Sequence, residues 1–211
     1  MSTITINKDT KLYGSFSSNP GNNGCEFFNM GFQKYGLNSI YKSFYSEDIE
    51  KIIVSVKHLR FSGFALSSPL KKQVYDYIDE YDEHVLKIGA VNTILIDNNK
   101  LYGYNTDWIG VYKFFENKNL NHVNIIGTGG FSMAIMYAFY KLGISFSICN
   151  RENIKNIDDI KNEYFINATP IEIISKHNTI IDGRPNTDTG KEIFKHQAIE
   201  QFKIYTGIDY V

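Results

Sequence analysis

Two small polar clusters, Asn92-Thr93 and Asn105-Thr106-Asp107, bracket a β-rich run that is interrupted at Asp97-Asn98-Asn99. An asparagine amide donates and accepts hydrogen bonds, whereas an ionised aspartate only accepts. Asn98-Asn99 can take the left-handed conformations of a tight hairpin turn. A hairpin folds its ends back beside each other, which predicts that both clusters lie at one end of one sheet.

A second candidate is Gly127-Thr128-Gly129-Gly130, between the apolar run "VNII" and the helical stretch "FSMAIMYAFYKL". Glycine there admits the backbone close to a pyrophosphate, and the open N–H groups and dipole of the following helix favour the anion. Ser132 stands where a strict G-x-G-x-x-G pattern has its third glycine. The next strand ends at Asn150-Arg151, where the ribose of an adenosine should lie. Arginine there suits the 2′-phosphate of NADP, with Lys155 as support, although Glu152 would favour NAD. NADP is the expected cofactor.

The elements that must position these residues alternate in type. "KLYGSF", "NSIYKSFY" and "FSGFAL" read as strands, separated by the helical segments "CEFFNMGFQKYG" and "SEDIEKIIVSVKH". In the latter, Ile49, Ile52, Ile53 and Val56 recur at helical spacing. "SPLKKQVYDYI" reads as one helix with Pro69 in its first turn. After the hairpin, "TDWIGVYKFFENK" reads as a helix with Thr106 or Asp107 as N-cap. "YFINATP" and "NTIIDG" are short apolar runs, and "GKEIFKHQAIEQFKIYTG" is a final helix. The fold class expected is α/β: a substrate domain over residues 1–120, a shortened Rossmann-like dinucleotide-binding domain over 121–190, and a helix over 191–211 that packs back on the first domain.

Composition narrows the function classes. The 211 residues carry 22 Lys and Arg against 23 Asp and Glu, a balance that gives no electrostatic reason to expect nucleic acid or a membrane surface. No secretory leader or membrane-spanning run is evident, so a soluble cytoplasmic protein is expected. Cys25 and Cys149 are the two cysteines, far apart, and the five histidines are scattered, so neither disulfide framework nor metal site is expected.

With these pieces in place, the chain resembles the shikimate dehydrogenase family. Gly89 to Thr93 match its G-A-V-N-T motif, Gly103 to Gly110 match G-x-N-T-D-x-x-G, and Ala65 to Lys71 loosely match N-V-T-x-P-x-K. The glycine turn is similar to G-A-G-G-A-x-x-A, and "NATP" and "HQAIEQFKIYTG" resemble later landmarks. The resemblance implies NADP-linked interconversion of 3-dehydroshikimate and shikimate in aromatic amino-acid biosynthesis. It implies Lys71 and Asp107 as the catalytic pair, and Ser15, Ser17, Ser67, Asn92 and Gln197 as substrate contacts. Gly127, Gly129, Gly130, Asn150 and Arg151 would hold the cofactor, and the protein would be a monomer or homodimer. Two departures keep other readings open. Residues 151–167 and the stretch after Pro170 are short for a full nucleotide domain, with Asp182 and Pro185 as remnants of a D-x-x-Y-x-P landmark. The alternatives are a non-catalytic relative that binds a small carboxylate or nucleotide, and a quinate-type dehydrogenase.

Overall fold

The computed structural model describes residues 5–149, 157–161 and 163–211. These residues form two compact units, one of residues 1–106 with 198–211 and the other of residues 107–197. Both are α/β. The division falls ahead of residue 121 because the helix that begins at Asp107 packs on the helix after the glycine turn, not on the hairpin before it.

In the first unit, strands β1 (Lys11–Ser17), β2 (Ser39–Tyr45) and β3 (Phe61–Leu66) pair in parallel around a central β1. Helices α1 (Asn23–Lys34) and α2 (Ile49–His58) make the crossovers. Asp48 caps α2, its carboxylate accepting from the Lys51 N–H at 3.1 Å. The hairpin β5 (Thr93–Asp97) and β6 (Lys100–Tyr104) joins antiparallel to β3. Its turn residues Asn98 and Asn99 have φ of 47° and 68°, the left-handed geometry their type permits. The sheet is therefore mixed, with order β2-β1-β3-β5-β6-β4, the short edge strand β4 being Glu80–Tyr81.

The predicted single helix after Pro69 is instead α3 (Leu70–Gln73), a 3-10 turn over Val74–Tyr77, the short strand β4 (Glu80–Tyr81) and α4 (Glu83–Ile88). The Tyr75 carbonyl accepts from Ile78 N–H and from the Tyr81 hydroxyl, so the chain tightens and then leaves the helical path.

Strand periodicity divides the core of this unit between two faces. Phe16, Phe64, Leu66 and Ile94 bury one face with Ile52, Val56 and Leu70. Tyr13 and Gly63 lie on the other, beside rings of α1 and of the last helix, α7 (Asp188–Thr206). Tyr13 packs on Phe32 and Tyr205 with centroids 5.4 and 4.9 Å apart, and its hydroxyl donates to the Tyr205 carbonyl at 3.0 Å. The C-terminal half of α7 thus packs on the first unit.

In the second unit, among the described residues, a parallel sheet of order β10-β9-β7-β8 is built from β7 (His122–Ile126), β8 (Ser145–Cys149), β9 (Tyr164–Asn167) and β10 (Thr179–Asp182). Helices α5 (Asp107–Phe115) and α6 (Gly130–Leu142) cover one face through Val111, Phe115, Ile135 and Phe139. Gly110 allows α5 to approach α7 closely: a Cβ there would lie 2.6 Å from the Ile193 carbonyl oxygen and 3.0 Å from Gln197 Cβ. Alanine normally favours a helix over glycine by about 1 kcal/mol. Here a backbone carbonyl cannot move aside cheaply, so overpacking reverses the sign. Gly110→Ala should destabilise by roughly 1–3 kcal/mol in denaturant titration. A variant as stable as the parent would show that α5 and α7 are not in this close contact.

Candidate functional site

The sheet of the first unit brings most of the expected substrate residues to the carboxyl ends of β1 and β3. The Ser67 N–H donates to the Phe16 carbonyl at 3.1 Å, which places Ser67 beside the strand that carries Ser15 and Ser17. The Leu66 N–H donates to the Asn92 carbonyl at 2.9 Å, and the Val91 N–H to the Lys71 carbonyl at 2.8 Å. Ser17, Ser67, Lys71 and Asn92 are therefore held to one another through main-chain bonds.

Lys71 is 9% exposed, whereas its neighbour Lys72 is exposed, a distinction the pair of lysines hides in the sequence. Ser67 is exposed and Ser17 is buried. Ser15 is half-buried, and its hydroxyl donates to Ser43 Oγ at 3.1 Å, in register across the parallel pair. It also hydrogen-bonds Tyr41. Burial pushes the Tyr41 phenol well up, with nearby Cys25 adding slightly and the Ser15 bond opposing, so Tyr41 stays neutral.

Asn92 sits at the centre of a buried network. Its Oδ1 accepts from the Thr106 N–H at 2.7 Å and from the Thr93 hydroxyl at 2.9 Å, and its Nδ2 donates to Thr106 Oγ1 at 3.0 Å. Thr93 and Thr106 hydroxyls lie 3.2 Å apart. Asn92 is 3% exposed, and Thr93 and Thr106 are fully buried. Asn105 donates to the Ala90 carbonyl at 2.9 Å, so it locks the second cluster to the first. The sequence places both threonines in the two polar clusters but does not show that they bond to Asn92. Their signal was the repetition of Asn-Thr at the two ends of one hairpin.

In the second unit, Asp107 is the first residue of α5 and buried, and Gln197 is a buried residue of α7 beside Gly110. The glycine turn lies outside the carboxyl end of β7, with β8 on one side and β9 on the other, the position where open parallel sheets bind ligands. Gly127 has φ of +115°, which side chains rarely adopt, and Gly129 is the extended N-cap of α6. The Asn167 amide holds the neighbouring end of β9, its Oδ1 accepting from Thr169 N–H at 3.0 Å and Thr169 Oγ1 at 2.7 Å. Asp182 accepts from Arg184 Nε at 2.9 Å, with Glu172 3.3 Å from the same guanidinium, and ties the end of β10 locally. Asn150 and Arg151 lie outside the described residues. Among the described residues, no group of three or more His, Cys, Asp or Glu could hold a metal ion, and no helix is long and apolar enough to cross a membrane.

The fold and site define a two-unit α/β chain with a buried polar network at one sheet end in one unit and a Rossmann-type glycine turn in the other. Residues 24–94 match the shikimate dehydrogenase substrate binding domain. The chain is 40% identical over 153 residues to a shikimate dehydrogenase-like protein of Haemophilus influenzae, covering 71% of this chain and 56% of that protein. It is 34% identical over 216 residues to a shikimate dehydrogenase (NADP(+)) of Methanococcus maripaludis, covering 87% of this chain and 73% of the relative. The crystal structure of shikimate dehydrogenase from Aquifex aeolicus superposes with a TM-score of 0.81 at 26% identity, over 98% of this chain and 96% of that one. The chain belongs to the shikimate dehydrogenase family.

One atom at the glycine turn stands apart. Ser132 Oγ is, among the described residues, the buried side-chain polar atom with no hydrogen-bond partner. A buried hydroxyl left unpaired costs about 1–3 kcal/mol, and alanine also suits a helix better. Ser132→Ala should therefore raise the denaturation midpoint of the ligand-free protein, by about 1 kcal/mol in stability. A lower midpoint would mean that the hydroxyl is satisfied in solution.

Proposed function

We propose that this chain is an NADP-dependent oxidoreductase that interconverts 3-dehydroshikimate and shikimate. The observation that carries the reading is a buried lysine, Lys71, whose carbonyl is hydrogen-bonded to Val91, next to the Asn92 network. Of the two adjacent lysines it is Lys71 that is buried beside this network while Lys72 is exposed, which supports a role for Lys71 in the site. The names of the relatives support the substrate and the cofactor.

In this reading the first unit holds the substrate and the second holds the cofactor. Ser17 and Ser67 donate hydroxyl hydrogen bonds to the substrate carboxylate and ring oxygens, Ser15 joins them by turning its hydroxyl away from Ser43, and Asn92 and Gln197 take the ring hydroxyls. Lys71 Nζ gives a proton to the carbonyl oxygen as it becomes a hydroxyl, and takes it back in the reverse direction. Asp107 accepts from a neighbouring substrate hydroxyl. When bound, NADPH supplies the hydride. The residues present fit its diphosphate: Gly127 and Gly129 leave no side chain in the way, Gly130 opens α6, and the N–H groups of that first turn are the donors. Asn150 and Arg151 read the 2′-phosphate.

The shortness of the second unit, four strands among the described residues, favours one competing reading: a relative that binds the ligand without turnover. Mixing purified protein with NADP⁺ and shikimate should produce NADPH absorbance, with less or none for quinate and none without substrate. Calorimetric binding of shikimate with no NADPH produced would select the binding-only reading.

Variants divide the roles further. Lys71→Ala should lower kcat by roughly 10²–10⁴-fold with a smaller change in KM. Because Lys71 and Asp107 serve one step, adding Asp107→Ala should do little more than the poorer single variant, and multiplied losses would show independent action. Arg151→Ala should weaken NADP⁺ by about 1.5–3 kcal/mol, the range for a charge-assisted bond, while sparing NAD⁺. Equal losses for both cofactors would remove Arg151 from phosphate recognition.

A further inference from the structure

We infer that Thr93 is a positioning residue for Asn92: its hydroxyl, together with the Thr106 N–H, holds the Asn92 amide in the one orientation it presents to a substrate. An asparagine amide can sit in two orientations that exchange its oxygen and nitrogen, and a binding site that uses it must select one. Here Oδ1 accepts from the Thr106 N–H at 2.7 Å, a main-chain donor that cannot turn into an acceptor. The Thr93 hydroxyl adds a second bond to the same oxygen at 2.9 Å, and lies 3.2 Å from Thr106 Oγ1. With Thr106 Oγ1 also 3.4 Å from Oδ1, the oxygen end of the amide is turned toward Thr93 and Thr106, while Nδ2 donates to Thr106 Oγ1 at 3.0 Å. Thr93 is fully buried on β5 and is held in register opposite Tyr104, so its hydroxyl acts on a ligand through Asn92 and Thr106 rather than directly.

This inference rests on the shikimate reading of the site, and the two can fail separately. The probes are shikimate and NADP⁺ binding by calorimetry, and steady-state kinetics with both. Thr93→Val keeps the side-chain shape and removes the hydroxyl, while Thr93→Ser keeps the hydroxyl. Thr93→Val should raise the dissociation constant and KM for shikimate about 3- to 12-fold, the effect of one neutral hydrogen bond. The kcat should stay within about twofold and NADP⁺ affinity should be unchanged, since only uniform substrate binding is lost. Thr93→Ser should restore the parent values. In an Asn92→Ala background, Thr93→Val should add nothing, which a merely structural threonine would not predict. If the valine variant folds poorly, Thr93→Ala takes its place in the same cycle. An unchanged KM, a parallel loss of NADP⁺ affinity, or a full additional loss in the Asn92→Ala background would each overturn the inference. A parent protein that binds no shikimate would overturn the functional reading and this inference together.

Discussion

The buried bond from the Thr106 N–H to the Asn92 amide oxygen is the constraint on which the first unit's site depends. Three polar side chains sit there with almost no access to water, a placement that costs several kcal/mol unless every group finds a partner. The partners exist only in one hairpin register. With Thr93 opposite Tyr104, Asn92 N–H reaches the Tyr104 carbonyl and the chain beyond β6 turns back over the amide. A slip by one residue would reverse every side chain and leave the amide unpaired. The left-handed Asn98-Asn99 turn is therefore tied to the chemistry at the opposite end of the hairpin, because it sets the register.

From Asn92 the frame extends sideways through main-chain bonds. Leu66 binds the Asn92 carbonyl, Ser67 binds the Phe16 carbonyl, and Val91 binds the Lys71 carbonyl. Ser67, Lys71 and Asn92 are thus each anchored by backbone as well as by what their side chains touch. Support comes from the two faces of the sheet, one packed with aliphatic side chains and the other with aromatic rings. The aromatic layer includes Phe202 and Tyr205 from the end of α7, with Phe28 and Tyr41 stacked at 4.5 Å beneath. Ser15 lies on this layer's side of β1 and is bound to Ser43 and Tyr41. Its geometry is thus set by the packing of the rings as much as by its own strand.

How much of this could be read from residues alone depended on the range of the interaction. The hairpin, the α2 helix and the glycine turn were legible because each is encoded within a few residues. Position-specific backbone preference or regular apolar spacing suffices for such features. The breakup of the segment after Pro69 was not legible. Four-residue pieces have almost no intrinsic stability and are set by contacts such as Tyr81 to Tyr75. The motif Asn92-Thr93 with Asn105-Thr106-Asp107 was legible as a site but not as a network, because a threonine beside an asparagine reads equally well as a strand former. Gly110 belonged to a recognised pattern, yet its physical reason, the approach of Ile193 and Gln197, needed a helix some eighty residues away in sequence. Lys71 and Lys72 are chemically identical neighbours, and only helix rotation buries one of them.

The second unit shows how little sheet a phosphate-type turn requires. Its geometry depends on β7, the left-handed Gly127, the first turn of α6 and the adjacent end of β9. A Cβ on Gly127 would come within 3.1 Å of Thr169 Cγ2 and 3.3 Å of the Ala168 carbonyl, so β9 directly walls the turn. Asn167 keeps that wall in place by folding Thr169 back onto its own amide, a local loop that needs no further strand. The outer strands do other work. β10 closes with a short-range Asp182–Arg184 pair, and β8 presents Phe146 and Ile148 to solvent. The groups that shape the turn therefore lie on the inner strands of the described sheet rather than on its edges. The buried hydroxyl of Ser132, also within 3.3 Å of that position at Gly127, belongs to the same centre. An unpaired polar atom at a turn so tightly walled is a cost that packing does not explain, and it places the demand for a polar partner at the turn itself rather than in the sheet around it.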